Sequence, residues 1–316
     1  MIIAIDLGGM SAKGAVLQDG KLVGCARVKT NAQNSIEETV ASLFALCKEV
    51  VLNAGGNLDE VTAVGIGSPG VIDSQKGEVV HWSNFSWHDV PLGKMLSEKI
   101  GKPVFVTNDA NAAALGEAKY GAGKRFSDSV LITLGTGVGG GIILGGKLFE
   151  GYKSAGAELG HTVICKDGEP CSCGRRGCLE AYASATALMR MTKEEMQKNR
   201  ESAMWNISPA LSDVDGKTAF LAAEQGDASG QKVVENYVQA LGEGIANIVN
   251  LLRPQAIVLG GGVSAQGEAL LVPLRKYVSE NIYVSQTYAP IEILCASLGN
   301  DAGLYGAGQY AVDRLK

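Results

Sequence analysis

The chain has 316 residues, 46% hydrophobic and 19% charged, which is the composition of a globular protein rather than a disordered one. Its formal net charge of −5 argues against nucleic acid or an anionic membrane as the main partner. The N-terminal residues lack the basic segment of a secretory signal, and no apolar run reaches the roughly 18 residues of a membrane span. The seven cysteines therefore indicate reduced thiols, and we expect a cytoplasmic protein.

The chain opens with a strand, a glycine turn and a second strand, and this pattern occurs twice. Residues 14–24 (GAVLQDGKLVG) and 141–151 (GIILGGKLFEG) share a glycine, an apolar triplet, a turn, Gly-Lys-Leu and a final glycine. Chance likeness between short hairpins is one explanation. The other is a duplicated domain. It predicts one domain at 1–115 and a second at 116–299, with a C-terminal helix at about 300–316 returning to the first.

Helices alternate with strands in both halves of the chain. Ser35 is the predicted N-cap of a helix that ends near Asn53, because Glu38 completes a capping box three residues later. The other predicted elements are strands at 61–67, 104–107, 129–134 and 256–259, and helices at 110–119 and 228–252. The polar stretch from about 190 to 215 indicates a surface insertion with one short helix. Alternation predicts α/β layers with a largely parallel sheet in each half, and such sheets bind ligands beyond the carboxyl ends of their strands.

Two glycine-rich turns stand at those strand ends. Gly8-Gly9 follows the first strand, and Gly135-Thr136-Gly137 follows the strand at 129–134. Neither has the spacing of a dinucleotide fingerprint or a P-loop, because the next element is another strand. A glycine hairpin is often only a turn. However, the backbone N–H groups, together with Ser11, Lys13 and Thr136, suit concave anion sites, and two equivalent hairpins predict a clamp on phosphates.

Three of the cysteines form a compact group after His161. Cys171, Cys173 and Cys178 lie within eight positions of one another. Three thiolates and one imidazole make a tetrahedral set for zinc, and four protein ligands leave no open position, so the predicted metal is structural. The alternative is three free thiols that share a loop by chance. His161 is the ligand that spacing supports least.

Carboxylates flank the glycine and cysteine loops. Asp109 follows the strand at 104–107 and is either the N-cap of the next helix or a catalytic base at a strand end. Glu158 and Glu180 stand on either side of the cysteine loop, where a metal ion would fix their positions. Buried sugar hydroxyls need carboxylate and amide partners, so this set indicates a sugar pocket.

Together these motifs resemble the ROK family (repressors, uncharacterised frames and sugar kinases), whose duplicated actin-like, ribonuclease H-like ATPase domains have a cleft between them. The most specific match is Glu158-Leu159-Gly160-His161 followed by Cys171-Ser172-Cys173-Gly174-Arg175-Arg176-Gly177-Cys178-Leu179-Glu180, which fits the family zinc pattern C-x-C-G-x-x-G-C-x-E. Supporting matches span nearly the whole chain: Asp6-Leu7-Gly8-Gly9, residues 67–73, Asn84, Asn108-Asp109-Ala110-Asn111, residues 134–141 and Gly260-Gly261-Gly262.

The resemblance implies a hexose kinase that uses Mg-ATP and carries a structural zinc ion. Asp109 would be the general base on the sugar hydroxyl that attacks the γ-phosphate. The residues implied to bind the sugar are Asn84, Asn108, Asp109, Glu158, His161 and Glu180. Those implied at the nucleotide are Asp6 (near Mg²⁺), Gly8, Gly9, Ser11, Lys13, Gly135, Thr136, Gly137, Gly260, Gly261 and Gly262. The implied zinc ligands are His161, Cys171, Cys173 and Cys178.

Substrate and donor identity rest on the resemblance. Glucose, phosphorylated at the 6-hydroxyl, is the expected substrate, and the alternatives are N-acetylmannosamine, N-acetylglucosamine, mannose, fructose and allose. Met10 departs from the family pattern, in which Thr usually follows Asp-x-Gly-Gly. Either Ser11 or the backbone amides would replace the missing hydroxyl, and inorganic polyphosphate is the alternative donor. The family also implies a homodimer.

Two non-enzymatic functions remain as alternatives. A catalytically inactive sugar-binding regulator has Met10 as its support, and the intact Asp109 argues against it. A DNA-binding repressor of the same family would carry a helix-turn-helix domain before its sugar domain. We do not expect that domain, because the first predicted strand begins at residue 2 and the net charge is negative.

Overall fold

The structure, a computed structural model, describes residues 1–82 and 85–316. These residues form two compact units. The first comprises residues 1–131, 141–157 and 297–316, and the second comprises residues 132–140 and 158–296. The boundary predicted at residue 115 stays a prediction. None of the helices in the described ranges has the length and apolar character needed to cross a lipid bilayer.

The strands and helices follow one another in the predicted alternation. In chain order the strands are β1 (Ile2–Leu7), β2 (Ser11–Gln18), β3 (Lys21–Lys29), β4 (Ala63–Ser68), β5 (Val71–Asp73), β6 (Glu78–Trp82), β7 (Trp87–Val90), β8 (Val104–Asn108), β9 (Ser129–Leu134), β10 (Val138–Leu144), β11 (Lys147–Phe149), β12 (Ala256–Gly260) and β13 (Glu292–Cys295). The helices are α1 (Ile36–Asn53), α2 (Leu92–Ile100), α3 (Asp109–Tyr120), α4 (Glu180–Ala183), α5 (Ala185–Lys198), α6 (Met204–Ile207), α7 (Thr218–Glu224), α8 (Ala228–Leu252), α9 (Glu268–Asn281) and α10 (Ala302–Arg314).

Two sheets repeat one strand order. The first is β3-β2-β1-β4-β8, in which β1 runs antiparallel to β2 and parallel to β4, and β4 runs parallel to β8. The second is β11-β10-β9-β12-β13, with β10 antiparallel to β11 and β12 parallel to β13. A small antiparallel sheet, β5-β6-β7, completes the set in the described residues. The repeated order is the arrangement that a duplicated domain predicts.

Local sequence signals define the ends of the long helices. The Ser35 hydroxyl accepts a hydrogen bond from the Glu38 amide at 3.1 Å, and the Glu38 carboxylate accepts one from the Ser35 amide at 2.8 Å. This is the predicted capping box of α1. Asp227 caps α8 by accepting from the Gly230 amide at 2.7 Å. The helix then ends at Leu252, as predicted.

The region around residues 190–215 differs from its prediction. It was expected to be a surface insertion with one short helix, whereas most of α5 and all of α6 fall within it. In α5 the buried side chains Leu188, Thr192 and Met196 recur every four residues and give the helix one inward face. The sequence shows no clear apolar period here, because the middle inward residue, Thr192, is polar and charged residues at 193–195 follow it.

Strand β1 is buried on both faces of the first sheet. Ile3, Ile5 and Leu7 pack in a core that includes Leu43 and Leu46 of α1. Ala4 points the other way and packs with Leu304 and Ala307 of α10. Burial on both faces explains why β1 reads as a continuous apolar run rather than an alternating one.

Helices α3 and α10 pack backbone against backbone. A Cβ added at Gly306 would lie 1.6 Å from the Ala112 carbonyl oxygen, and one added at Gly116 would lie 2.2 Å from the Ala302 carbonyl oxygen. No side chain fits in either place. The two glycines thus allow a close approach that fixes α3 against its neighbour.

Substitution of Gly306 by alanine is expected to destabilise the protein by about 3 kcal/mol, because the methyl group forces the two helices apart. Urea unfolding of the purified variant measures the loss. Gly216→Ala is the matched control, since a Cβ at that loop position meets no atom within 4 Å. Equal stability of the two variants would contradict the close packing.

Candidate active site

The first glycine turn joins β1 to β2 and is braced by Thr30. The Gly8 amide donates to the Ser11 carbonyl at 3.0 Å, while the Thr30 hydroxyl donates to the Gly8 carbonyl at 2.7 Å. The Thr30 amide donates to the Met10 carbonyl at 3.1 Å, and the Met10 side chain is 86% exposed. The shape of the turn therefore depends on backbone contacts and not on the side chain at position 10.

Asp6 lies at the end of β1 among charged groups of the first unit. Lys13 is its partner residue on β2. Burial raises the pKa of Asp6, the negative charge of Asp109 raises it further, and the positive charge of Lys13 opposes the rise. The Asp301 carboxylate adds to the rise. The structure thus brings Asp6, Lys13 and Asp109 into one electrostatic neighbourhood.

Asp109 is the first residue of α3, and its neighbour Asn108 is the N-cap. The Asn108 side chain accepts hydrogen bonds from the amides of Ala110 at 2.9 Å and Asn111 at 3.3 Å, and it donates to the Gly70 carbonyl at 3.2 Å. The interpretation of Asp109 as the N-cap is therefore wrong. Asn108 is the N-cap instead. The Asp109 carboxylate accepts a hydrogen bond from the Ala110 amide at 2.9 Å.

Burial also raises the pKa of Asp109. Hydrogen bonds from the backbone lower this pKa, but their effect is smaller than that of burial. A carboxylate at the start of a helix is ordinarily stabilised as an anion by the helix dipole. Here desolvation outweighs that stabilisation, so the group is a stronger base than a solvated aspartate.

The second glycine turn, between β9 and β10, lies beside the triple glycine that follows β12. The Gly135 amide donates to the Gly137 carbonyl at 3.0 Å, and the Thr136 carbonyl accepts from the Thr186 hydroxyl at 2.9 Å. Gly261 has a φ of +82°, and a Cβ there would lie 2.5 Å from the Leu134 carbonyl oxygen. The structure thus brings the two glycine segments of the second unit together, as their proposed common ligand requires.

Glu180 connects the second glycine turn to the cysteine loop. Its Oε2 accepts from the Val138 amide at 3.0 Å, and its Oε1 accepts from the Ser172 hydroxyl at 2.9 Å. A Cβ at Gly137 would lie 2.4 Å from the same Oε2, so only glycine permits this approach. Sequence reasoning missed the roles of Ser172 and the Val138 amide, because neither residue type signals them.

His161 and the three clustered cysteines meet in space. The His161 Nδ1 lies 3.6 Å from the Cys171 Sγ, and the sulfur atoms of Cys173 and Cys178 are 3.7 Å apart. All four ligand atoms lie within 4.8 Å of one another. A tetrahedral zinc ion with sulfur at about 2.3 Å separates its sulfurs by about 3.8 Å, so the geometry of this group fits a metal ion.

A cavity of about 540 Å³ adjoins these loops in the second unit. Its wall includes Thr136, Gly137, Ser172, Glu180 and Arg190. Arg190 pairs with Glu194 at 3.0 Å on α5. The sequence gave no signal for Arg190, because it falls in the stretch that was interpreted as a polar insertion.

The predicted site residues in the described ranges are divided between the two units. Those in the first unit are Asp6, Gly8, Gly9, Ser11, Lys13, Asn108 and Asp109. Those in the second unit are Gly135, Thr136, Gly137, Glu158, His161, Cys171, Cys173, Cys178, Glu180, Gly260, Gly261 and Gly262. Glu158 is exposed and stands just before the short helical turn that carries His161. Asn84 lies outside the described residues.

The raised pKa of Asp109 predicts a stability cost at neutral pH. The native state holds the proton more tightly than the unfolded chain, so stability falls as pH rises from the unfolded pKa through the folded one. Asp109→Asn removes that cost and also removes the charge repulsion between residue 109 and Asp6. The melting temperature of the variant should therefore exceed that of the wild type at pH 7. The gain should shrink as pH falls toward about 4, the ordinary range of aspartate.

Differential scanning calorimetry at several pH values measures this difference. Asp19→Asn, at an exposed turn, is the matched control and should melt like the wild type at every pH. A lower melting temperature for Asp109→Asn at pH 7 would show that the carboxylate stabilises the fold, contrary to this prediction.

Comparison with known proteins places these features in context. The sequence profile of the ROK family matches residues 2–314. A glucokinase of Thermotoga maritima is 39% identical, over 99% of this chain and 98% of that protein. A ROK family glucokinase of Streptomyces griseus, solved in complex with glucose and AMPPNP, is 36% identical and superposes with a TM-score of 0.80 over 99% of both chains.

A relative of another functional class also matches. A protein described as a putative xylose repressor, from a Caldicellulosiruptor species, is 30% identical over 97% of this chain and 76% of its own length. The predicted fold class, a duplicated actin-like ATPase fold, is confirmed by these neighbours. The chain belongs to the ROK family.

Proposed function

We propose that this chain is an ATP-dependent hexose kinase that converts glucose to glucose 6-phosphate. Similarity to glucokinases over nearly its full length supports the reaction class and the sugar. The structural observation that carries the proposal is Asp109, a carboxylate whose pKa is raised by burial and which stands at the junction of β8 and α3. A general base of a phosphotransferase needs this combination of position and basicity.

In the proposed reaction Asp109 accepts the proton of the sugar 6-hydroxyl. As that proton leaves, the hydroxyl oxygen forms a bond to the γ-phosphorus of ATP, and the bond from the γ-phosphorus to its bridging oxygen breaks. ADP leaves with the electron pair of the broken bond. Phosphoryl transfer depends mainly on positioning and charge stabilisation, so one well-placed carboxylate suffices as the acid–base group.

The nucleotide is proposed to bind at the glycine segments. The amides of Gly9, Thr136 and Gly137 would face its phosphates, with Ser11, Lys13 and Thr136 as side-chain partners, while the amides of Gly8 and Gly135 hold their own turns in shape. Gly260, Gly261 and Gly262 would allow close approach of the adenosine. Mg²⁺ bound with ATP would neutralise phosphate charge, and Asp6 is the carboxylate proposed to lie near it. Backbone contacts and the Thr30 hydroxyl shape the first turn without the Met10 side chain, and Ser11 or the backbone amides would replace the hydroxyl that Met10 lacks.

The sugar is proposed to contact Glu158, His161, Glu180, Asn84 and Asn108. His161 turns its Nδ1 toward Cys171, so its Nε2 is the nitrogen that remains for a sugar hydroxyl. The side-chain oxygen of Asn108 already caps α3, which supports a role in holding Asp109, and its contact with the sugar is proposed on the family resemblance alone.

The group of His161, Cys171, Cys173 and Cys178 is proposed to hold a structural zinc ion. Soft thiolates select zinc, and a set of four protein ligands leaves no position for substrate. When bound, the ion ties the cysteine loop together. Ser172, which lies between two of the ligands, would then hold the Glu180 carboxylate in a fixed place.

Cys173→Ala is expected to lose the zinc ion and several kcal/mol of stability together, because the binding energy of a structural zinc is also folding energy. Metal content by atomic emission and melting temperature measure both effects. Cys25→Ala, at an exposed position outside the cluster, is the matched control and should retain metal and stability. A metal-free wild type that melts normally would contradict the structural role.

A coupled assay for ADP release tests the proposed reaction. Glucose, mannose, fructose, allose, N-acetylglucosamine and N-acetylmannosamine would each be offered with Mg-ATP, and glucose should give the highest kcat/KM. Parallel reactions contain inorganic polyphosphate in place of ATP, and formation of the sugar phosphate is measured in them to compare the two donors. Glucose binding without turnover from either donor would instead favour a regulator, the class suggested by the repressor-like relative.

We also propose that the chain works in the cytoplasm as a homodimer, on the family resemblance. Analytical ultracentrifugation of the purified chain measures its assembly state. A sedimentation mass near 32.9 kDa at micromolar concentration would show a monomer and contradict the proposed dimer.

A further inference from the structure

Glu117 is a buried acid that the proposed chemistry does not use. It lies on α3 about two turns after Asp109, and only 1% of its surface is exposed. A buried carboxylate costs several kcal/mol unless hydrogen bonds or an opposite charge compensate it. Its hydrogen-bond partners therefore indicate what it does.

The Glu117 carboxylate accepts hydrogen bonds from backbone amides in two turns of the first unit. It accepts from the Ala122 amide at 2.8 Å, just beyond the end of α3. It also accepts from the Leu298 amide at 2.8 Å and from the Ser297 amide at 3.0 Å, 180 residues along the chain. Hydrogen bonds from neutral donors to an anion are stronger than those between neutral groups, so this carboxylate is a firm anchor for residues 297–298.

The anchored segment leads directly to charged groups of the nucleotide site. Two residues beyond Leu298, the Asn300 carbonyl accepts from the Lys13 Nζ at 3.1 Å. The next residue, Asp301, raises the pKa of Asp6, and Gly303 lies so close that a Cβ there would be 3.1 Å from the Asp6 Cγ. Residues 297–301 thus support one side of the Asp6–Lys13 pair.

We propose that Glu117 is a positioning residue for the phosphate-donor site. Its carboxylate holds residues 297–301, and the Asn300 carbonyl of that segment holds the Lys13 ammonium beside Asp6. Helix α3 then carries the proposed base at its first turn and the anchor of the nucleotide site two turns later. The inference rests on the proposed kinase function, because it assigns Lys13 to the phosphates.

The matching experiment is a double-substitution cycle on nucleotide binding. Glu117→Gln keeps the shape of the side chain but turns an NH₂ group toward amide donors. Dissociation constants for Mg-AMPPNP and for glucose would be measured by calorimetry on the wild type, Glu117→Gln, Lys13→Met and the double variant. Melting temperatures of the same samples report the structural effect.

Glu117→Gln is expected to weaken Mg-AMPPNP binding roughly tenfold and to leave glucose binding within about twofold. Because Glu117 acts through Lys13 in this proposal, the double variant should bind Mg-AMPPNP no more weakly than Lys13→Met alone. Additive losses, or equal losses of nucleotide and glucose affinity, would show a general structural role and overturn the inference.

Two further measurements keep the test decisive. If Glu117→Gln does not fold, Glu117→Asp takes its place in the same cycle, since it shortens the reach to the amides but keeps the charge. Glu98→Gln, at an exposed glutamate of α2, is the matched control and should bind as the wild type does. A wild type that turns glucose over, with unchanged Mg-AMPPNP affinity in Glu117→Gln and Glu117→Asp, overturns this inference alone. A wild type without turnover and without nucleotide binding overturns both this inference and the proposed function.

Discussion

The backbone packing of α3 against α10 is the constraint on which the proposed catalytic residues of the first unit depend. Gly116 and Gly306 let the two helices approach to a distance that no side chain would allow. With α3 fixed in this way, its N-terminus holds Asp109, and its buried face holds Glu117. The proposed base Asp109 and the residues 297–301 are therefore held in place by the same helix, α3, at its first turn and through Glu117.

The site carries an electrostatic cost that follows from its chemistry. Burial raises the pKa of both Asp6 and Asp109, and the negative charge of Asp109 adds to the rise at Asp6. Lys13 is the cation that offsets part of this repulsion. These buried like charges are expected to make the native state less stable than its packing alone would give, and the proposed Mg²⁺ and phosphate ligands would alter this balance on binding.

Local signals made much of this structure predictable. The capping box of α1, the full span of α8, the two glycine hairpins and the grouping of the three cysteines follow from residues close together in sequence, and His161 joins the cysteines as the family resemblance implies. Contacts between residues far apart in sequence could not be predicted in this way. Glu117 meets amides 180 residues away, and Asn108 rather than Asp109 caps α3, because both outcomes depend on backbone geometry that residue type does not encode.

Asp109 is proposed to act chiefly in the chemical step and to contribute little to holding the sugar. A rapid-quench measurement of one turnover, with enzyme in excess over ATP and saturating glucose, tests it on the wild type and Asp109→Asn. The chemical step of the variant is expected to be slower by about 10²- to 10⁴-fold, with glucose affinity largely retained. A single-turnover rate equal to that of the wild type would contradict it and remove Asp109 as the base.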